Sequence, residues 1–266
     1  MNENKNSKGP LFLAGLGLCD ENDMSMRAIE VVRTCRTVFA ENYTNMMREG
    51  TLRRLEERIG RKIVLLAREE VEEEKKILEA CALGPTALLV PGDPMTATTH
   101  NSLVAAANLR HIQVHILHAA SIFTAAPGAA GLQIYKMGKT ATITYWRKNY
   151  EPTSFVDLVA ENQARGAHTL CLLDIDPKLG PMKPSHALEL IEKAQSRGNM
   201  AVLSPETRIF VLWHVGWPDQ KVWAGTREKY PFSADANEPA GPAAIIIPSK
   251  MHFAEEESFL SFNSSR

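Results

Sequence analysis

The chain has 266 residues, of which 44% are hydrophobic and 23% charged, so it fits one large or two ordinary globular domains and is not an intrinsically disordered protein. Its formal net charge of -1 gives no basic footprint for direct nucleic-acid binding. No apolar run reaches the roughly 20 residues that span a bilayer, so no membrane association is expected. The polar N-terminus also lacks the apolar core of a secretion signal.

The spacing of the cysteines is typical of a protein in a reducing compartment. Cys19, Cys35, Cys81 and Cys171 are widely spaced and form no C-x-x-C pair. This usage predicts reduced, buried thiols rather than a disulfide framework or a zinc site. We therefore expect a cytoplasmic protein.

Strand and helix patterns alternate along the first half of the chain. Ser25 is a suitable N-cap for the first helix, and Gly60 is placed to end the second. The alternation indicates an α/β protein whose mostly parallel sheet is covered on both faces. Strands are predicted at residues 11–18, 37–40, 63–67, 86–90 and 113–117, with helices after Ser25, from Thr51 to Gly60, over 69–83 and over 99–109.

The small-residue stretch 118–128 predicts a crossing between two domains. The expected N-terminal α/β domain covers residues 10–120 and the C-terminal α/β domain 126–253, with flexible tails at 1–9 and 254–266. A polar, Trp-bearing insertion precedes the last predicted strand. In the second domain, strands are predicted at 140–146, 168–175, 207–215 and 243–247, and helices over 155–166 and, capped by Ser185, to Arg197.

The most distinctive stretch is LLVPGDPMTATTH, residues 88–100. Apolar residues end a strand, two prolines and a glycine force a turn, and hydroxyl residues then lead into a helix. Loops at the carboxyl ends of strands are where open α/β sheets bind ligands, and Asp93 is the one charge in this loop. Proline and glycine also mark ordinary turns, so a turn-stabilising or helix-capping carboxylate remains an alternative interpretation of Asp93.

Several other chemistries find little support. Gly15 and Gly17 follow the first strand without the third glycine of a dinucleotide fingerprint, and neither a Walker-type segment nor a G-x-S-x-G elbow is present. His111, His115 and His118 lie close together, but strand alternation puts His118 on the opposite face and no carboxylate or cysteine is adjacent in sequence. No metal is therefore expected, and the histidines are interpreted as a solvated sheet end or satisfied core residues.

Three strand ends built from small residues remain, at residues 15–18, 91–96 and 119–122. They offer backbone amides and carbonyls and a single carboxylate to a flat, polar, non-phosphorylated ligand. Such a site suits a nucleoside cofactor. The residues alone lead to an α/β protein with a small-molecule cleft.

Several segments, in this order, resemble the diphthine synthases, which are methyltransferases of the tetrapyrrole methylase superfamily. The resemblance implies two α/β domains of the tetrapyrrole-methylase type, with S-adenosylmethionine bound in a folded shape in the cleft between them, and a homodimer. The segments are LAGLGL (13–18), FAENYT (39–44), PGDPMTATTH (91–100), GLQIYKMGK (131–139), RGAHTL (165–170) and LLDI (172–175).

The resemblance also implies a set of cofactor contacts. The chain departs from the family pattern at Ala243, where histidine is usual, and at Trp213-His214-Val215-Gly216, where Ala-Arg-Ala-Gly is usual. Without the resemblance, Ser121 reads equally well as a helix N-cap, and Leu18, Ile122 and Leu173 as core. The implied contacts are Leu18, Asp93, Thr96, Ser121, Ile122, Leu173, Val215 and Ala243.

The acceptor implied by the resemblance is a histidine of translation elongation factor 2 that carries an aminocarboxypropyl group. S-adenosylhomocysteine would be the product, and no catalytic residue is assigned. Tyr43, Thr44 and Tyr135 are candidates for contacting the protein substrate. The alternatives are a methyltransferase of the same superfamily acting on a tetrapyrrole or ribosomal RNA, and a catalytically retired cofactor-binding scaffold.

Overall fold

The computed structural model describes residues 8–41, 43, 46–198, 200–233 and 237–263. The chain forms two compact units, Met1–Ile122 and Phe123–Arg266. The boundary between them falls inside the small-residue stretch 118–128, where the sequence predicts a domain crossing. Most of the expected N-terminal tail lies outside the described residues, but Gly9 is anchored, because its N–H donates to the carbonyl of Cys81.

The first unit contains a five-stranded sheet in which every pair of neighbouring strands is parallel. The strand order is β3-β2-β4-β1-β5, so the first and fourth strands lie side by side near the middle. This confirms the predicted parallel sheet. Its strands are β1 (Leu11–Gly15), β2 (Thr37–Glu41), β3 (Ile63–Leu66), β4 (Thr86–Val90) and β5 (Val114–Leu117).

Helices connect these strands, and their ends follow the signals read from the sequence. The Ser25 hydroxyl accepts from the N–H of Ala28, and Gly60 ends its helix in the left-handed conformation. Apolar clusters on both sides of the sheet bury the continuous apolar run of β4. The helices are α1 (Met26–Thr34), α2 (Thr51–Ile59), α3 (Arg68–Glu72), α4 (Lys75–Cys81) and α5 (His100–Leu109).

The single helix predicted over residues 69–83 is wrong, because α3 and α4 are separated by a break. Glu74 sits there with φ 60°, in the left-handed region. Val71 and Ile77 are both buried, but residues six apart point to different sides of a continuous helix. The break lets both side chains enter the core.

The second unit contains a mixed sheet of order β11-β10-β12-β7-β6 and a separate two-stranded ribbon of β8 and β9. Within the described residues of this sheet, β6 and β7 are parallel and the other neighbouring strands are antiparallel. Its strands are β6 (Ala141–Ile143), β7 (Thr169–Leu173), β8 (Ile175–Asp176), β9 (Gly180–Pro181), β10 (Arg208–Trp213), β11 (Lys221–Thr226) and β12 (Ala243–Ile247).

Two features of this sheet differ from the prediction. The insertion with tryptophans contains β11, an edge strand that pairs along all of β10. Its polar and small residues hide the alternation expected of a strand. The strand predicted over 168–175 is divided into β7 and β8 at Asp174, whose carboxylate accepts from the N–H of Tyr145.

The predicted helices of this unit are present with shifted ends. The helix predicted from Ser185 begins at Pro184, and the Ser185 hydroxyl donates to Glu238 instead of capping the helix. Proline is favoured in the first turn of a helix because its missing N–H would be unpaired there in any case. The two predicted helices are α7 (Ser154–Ala164) and α8 (Pro184–Gln195). Two further helices were not predicted: α6 (Ile122–Ala129), at the boundary between the units, and α9 (Phe253–Asn263).

The expected flexible tail at 254–266 is wrong for residues 254–263, which belong to α9. Its Glu255 carboxylate is fully buried and receives four hydrogen bonds, from the N–H groups of Gln133 (2.9 Å) and His252 (2.7 Å), from Lys136 Nζ (3.0 Å) and from His168 Nε2 (3.2 Å). The tail prediction failed because all but one of these partners are remote in sequence. Burial alone raises the pKa of Glu255, but the hydrogen bonds outweigh it and lower the pKa to about 2.

All four cysteines are free and buried, as predicted. Burial raises the pKa of Cys35 to about 11 and that of Cys171 to about 12, so both stay protonated thiols at neutral pH. None of the helices in the described part of the chain has the length and apolar character needed to cross a membrane.

Glu255→Gln is expected to lower the free energy of unfolding at pH 7 by about 3 kcal/mol, because an amide cannot accept all four hydrogen bonds and loses the charge paired with Lys136. A carboxylate whose pKa is depressed in the folded protein stabilises it above the ordinary pKa, and this contribution is lost as the pH falls towards 2. Urea unfolding measures the difference. Glu256→Gln, at the partly exposed neighbour that pairs with Arg208, is the control and should cost less than about 1 kcal/mol. Equal costs for the two variants would contradict the prediction.

Candidate functional site

Three strand ends of the first unit meet at Gly15, the last residue of β1. A Cβ atom built on Gly15 would lie 2.6 Å from the Ala119 Cβ, 2.6 Å from the Gly92 carbonyl oxygen and 3.1 Å from the Pro94 Cδ. Only glycine allows so close an approach. The segments after β1, β4 and β5 are therefore packed against one another at the carboxyl edge of the parallel sheet.

A pair of glycines joins two of these segments beyond the strands. Gly17 and Gly92 exchange backbone hydrogen bonds of 2.7 and 3.3 Å, and their φ angles are +74° and +76°. A Cβ on Gly92 would meet nothing within 4 Å. Gly92 therefore serves the backbone conformation and leaves an open, side-chain-free face on the loop after β4.

Asp93 fastens the loop after β4 to the end of β5. Its Oδ1 accepts from the Met95 N–H (3.0 Å) and the Thr96 hydroxyl (3.3 Å), and its Oδ2 accepts from His118 Nδ1 (2.7 Å) and the Ala119 N–H (3.3 Å). Four donors match the four lone-pair sites of a carboxylate. The alternative interpretation of Asp93 as a turn-stabilising residue is thus part of its role.

The carboxyl group of Asp93 stays ionised. Burial alone raises its pKa, but the hydrogen bonds from Met95, His118 and Ala119 outweigh the burial and lower it. The carboxylate is therefore a permanent charge at neutral pH. Because its lone pairs are already engaged by the protein, its main effect on a ligand is through the loop that it holds.

Five of the predicted cofactor residues lie on the converging segments of the first unit. Thr96 is bonded to Asp93, and Leu18 is buried, with its N–H donating to Asp23 at 2.9 Å. Ser121 directly precedes α6, which begins at Ile122. The structure thus brings Leu18, Asp93, Thr96, Ser121 and Ile122 to one edge of one sheet.

The other three predicted residues, Leu173, Val215 and Ala243, lie together in the second unit. Leu173 ends β7, and Val215 follows the end of β10. Ala243 pairs with Trp213 at the start of β12, next to the pairing of Ala244 with Leu172. Since β12 is antiparallel to both neighbours, its amino end meets their carboxyl ends.

The departure from the family pattern at His214 has its own local support. His214 has φ 53°, and its Nδ1 and Nε2 lie 2.9 Å from Asp219 Oδ2 and from the Ala240 carbonyl. The His214 ring stacks on Trp217 with 4.6 Å between the ring centroids. A Cβ atom on Gly241 would collide with the His214 ring. His214 therefore stabilises the turn beside Val215.

A buried pair that was not predicted as a site lies behind the loop after β4. His100, at the start of α5, has its Nε2 3.0 Å from Glu41 Oε2 and its Nδ1 2.8 Å from the Pro94 carbonyl. Both side chains are almost completely buried. Burial alone lowers the pKa of His100, but the bond and charge of Glu41 and the Pro94 carbonyl outweigh it and raise the pKa. His100 and Glu41 both occur in the family segments, but 59 positions separate them, so the sequence did not indicate that they pair.

The profile of the tetrapyrrole (corrin/porphyrin) methylases matches residues 10–231. A diphthine synthase from Methanothermobacter thermautotrophicus is 37% identical over 248 residues, which cover 93% of both chains. The diphthine methyl ester synthase of Homo sapiens is 37% identical over 274 residues, covering 95% of both chains. A crystal structure of diphthine synthase has a TM-score of 0.85 and 30% identity, covering 96% of both chains. The chain belongs to the tetrapyrrole methylase family.

Much of the segment GLQIYKMGK of this tetrapyrrole methylase has a structural role. Gly131 packs against Ser258, Gly138 packs against Asn162, and Lys136 binds Glu255. Tyr135 is 80% exposed, so it remains available as a contact for a protein substrate.

Of the other residues predicted to contact a protein substrate, Tyr43 is partly buried. Burial and a hydrogen bond to Glu41 raise its pKa, and Arg68 lies over its ring. Its hydroxyl is thus engaged within the first unit. Thr44 lies outside the described residues.

The three histidines near β5 are separated in this tetrapyrrole methylase. His115 stacks on Phe12 with 5.1 Å between ring centroids, whereas His118 binds Asp93. His111 lies in a turn with φ 55°. Within the described residues, no group of three His, Cys, Asp or Glu side chains is placed to hold a metal ion.

Gly15→Ala is expected to destabilise the protein by about 1–3 kcal/mol, because the added methyl group would lie 2.6 Å from both the Ala119 Cβ and the Gly92 carbonyl oxygen. Thermal unfolding measures the change. Gly128→Ala is the matched control, since its added methyl meets open space within a helix and should be neutral or stabilising by up to about 1 kcal/mol. Equal melting temperatures for the two variants would show that the strand ends can separate.

His100→Gln and His168→Gln are expected to respond to pH in opposite directions. A histidine with a raised pKa stabilises the folded state below pH 6.5 and loses this effect as the pH rises through the folded pKa, so His100→Gln should cost about 3–5 kcal/mol at pH 5.5 and less at pH 8.5. Burial lowers the pKa of His168, although Glu255 opposes this, so wild-type His168 destabilises the protein as the pH falls below 6.5. The cost of His168→Gln should therefore be larger at pH 8.5. Urea unfolding at both pH values tests this, and the same trend in both variants would contradict it.

Proposed function

We propose that this chain is an S-adenosylmethionine-dependent diphthine synthase, which methylates the aminocarboxypropyl-modified histidine of translation elongation factor 2. The observation that supports this proposal most directly is the 37% identity to a diphthine synthase and to a diphthine methyl ester synthase. The identity extends over more than nine-tenths of each chain. The matched relatives span the whole architecture and not one shared domain.

The residues at the carboxyl edge of the first sheet suit a nucleoside cofactor. Gly15, Gly17 and Gly92 remove side chains from this edge, and the open face of Gly92 leaves room for a flat ligand beside backbone amides and carbonyls. The cofactor would supply an activated methyl group on a sulfonium. The contacts that we propose for it are the eight residues implied by the resemblance: Leu18, Asp93, Thr96, Ser121, Ile122, Leu173, Val215 and Ala243.

For methyl transfer, the main task of the protein is to align the acceptor with the methyl group of the cofactor. Methyl transfer to an amine needs the acceptor nitrogen, the methyl carbon and the sulfur in line, and holding reactants in that geometry removes most of the entropic barrier. The rigid packing around Gly15 and the four bonds of Asp93 fix the loops that would provide it. The resemblance to the diphthine synthases further supports a cytoplasmic homodimer.

The proposed function is tested by transfer of a labelled methyl group to elongation factor 2 purified from cells that lack their own diphthine methyltransferase. Label on the aminocarboxypropyl histidine, located by mass spectrometry, is the expected result. Factor lacking the aminocarboxypropyl group is the control and should stay unlabelled. Label on a tetrapyrrole or on ribosomal RNA instead would replace the proposal, and no binding at millimolar S-adenosylmethionine would indicate a retired scaffold.

Asp93→Ala is expected to weaken S-adenosylmethionine binding by about tenfold or more while the protein remains folded, because the loop after β4 loses its four anchoring bonds. Calorimetric titration of wild type and variant gives the affinities, and circular dichroism checks the fold. Asp157→Ala, at an exposed position of α7, is the matched control. An unchanged affinity in Asp93→Ala would remove Asp93 from the proposed site.

A further inference from the structure

His118 and Asp93 form a pair in which one nitrogen of the imidazole is fixed and the other faces outward. Nδ1 lies 2.7 Å from Asp93 Oδ2, and the His118 side chain is 70% exposed while that of Asp93 is 9% exposed. A carboxylate can only accept here, so Nδ1 carries the proton. In the neutral ring, Nε2 then presents its lone pair to the exposed side.

The pair lies at the edge where the strand ends meet. The neighbouring Ala119 N–H donates to the same Asp93 oxygen at 3.3 Å, and the Ala119 Cβ is the atom that an added methyl on Gly15 would strike. His118 thus projects from the rim of the loops proposed to hold the cofactor. Among the described residues, Asp93 is the charged group that contacts His118.

We propose that His118, oriented by Asp93, takes the proton from the ammonium group of the acceptor, and this inference rests on the proposed function. An aliphatic ammonium has a pKa of roughly 8 to 10, so most of the acceptor is protonated and not nucleophilic at neutral pH. The N–H proton passes to Nε2 and leaves the nitrogen lone pair free. That pair forms the N–C bond, the C–S electron pair returns to sulfur, and the imidazolium releases its proton to solvent.

A histidine whose one ring nitrogen donates to a carboxylate is a common arrangement for proton transfer in enzymes. The carboxylate fixes the tautomer and the ring orientation, and the second nitrogen does the exchange. Positioned bases of this kind contribute about 10²–10⁴-fold to rate. The bond to Asp93 thus restricts the orientation of a ring whose side chain is 70% exposed.

The first test determines which ring nitrogen of His118 carries the proton and requires no catalytic turnover. Nitrogen NMR of ¹⁵N-histidine-labelled protein at pH 8 should show His118 with a protonated Nδ1 and an unprotonated Nε2. Asp93→Asn should shift this signal towards a mixture of tautomers, whereas the signal of His115, which stacks on Phe12, should not change. A protonated Nε2 in the wild type would overturn the proposal.

The second test compares the kinetics of His118→Gln with those of His115→Gln, the control in β5, the strand that ends just before His118. At pH 7, His118→Gln should lower kcat by about 10–100-fold with KM for S-adenosylmethionine changed less than about threefold. The defect should shrink as the pH rises past 9.5, where water deprotonates the acceptor. A role limited to holding Asp93 would instead raise KM and give a defect that does not depend on pH.

The two proposals fail separately. Wild-type protein that transfers no methyl group to the modified elongation factor contradicts the proposed function. Wild-type protein that does so, together with a His118→Gln variant of unchanged kcat at pH 7, contradicts only the role of His118. The tautomer measurement stands independently of both, because it uses the free protein.

Discussion

The first unit depends on the close approach of three backbone segments at Gly15. That approach has a steric part, the missing side chain, and an electrostatic part, the Asp93 carboxylate that binds donors from both the loop after β4 and the end of β5. Neither part suffices alone. Without the glycine the segments would collide, and without the carboxylate the partly buried N–H groups of Met95 and Ala119 would lose their acceptor, which costs up to about 1–3 kcal/mol each.

Two buried histidine–glutamate pairs, one in each unit, show how the second ring nitrogen decides the charge. His100 faces acceptors on both sides, the Pro94 carbonyl and Glu41, so it is best satisfied as an imidazolium. His168 accepts the Ser249 N–H at Nδ1 and donates from Nε2 to Glu255, so it is satisfied as a neutral ring. Burial lowers the pKa of both histidines. At His100 the bond and charge of Glu41 and the Pro94 carbonyl outweigh burial, whereas at His168 the charge of Lys136 opposes Glu255 and the pKa stays lowered.

The sequence predicted local features of the fold well and long-range ones poorly. The strand 86–90 and the caps at Ser25 and Gly60 were predicted because each depends on a few neighbouring residues. The edge strand β11 and the helix α9 were missed, because pairing with β10 and the buried partners of Glu255 stabilise them. Those contacts join residues that are distant in the chain, and the periodicity of hydrophobic residues does not indicate them.

The candidate site divides in the same way. The loop with Asp93 was found because prolines and glycines mark a turn at a strand end, and the resemblance supplied the other predicted contacts. The pairing of Asp93 with His118 was not found, because strand alternation was the only available guide to His118 and 25 residues lie between the two. In the sequence, His118 is close to His111 and His115, whereas in the folded chain its partner is the carboxylate of Asp93.

A carboxylate whose four lone-pair sites are filled by the protein acts on a ligand through geometry. Its lowered pKa keeps Asp93 charged across the neutral range, so its hydrogen bonds keep a charged acceptor there. Within the described part of the chain, two histidines contact this loop: His100, bound to the Pro94 carbonyl and to Glu41, and His118, bound to Asp93 itself. Substitution of His100 would alter how the loop is supported, and substitution of His118 would alter which acceptor molecules can react, so the effects of the two substitutions on KM and on kcat separate them.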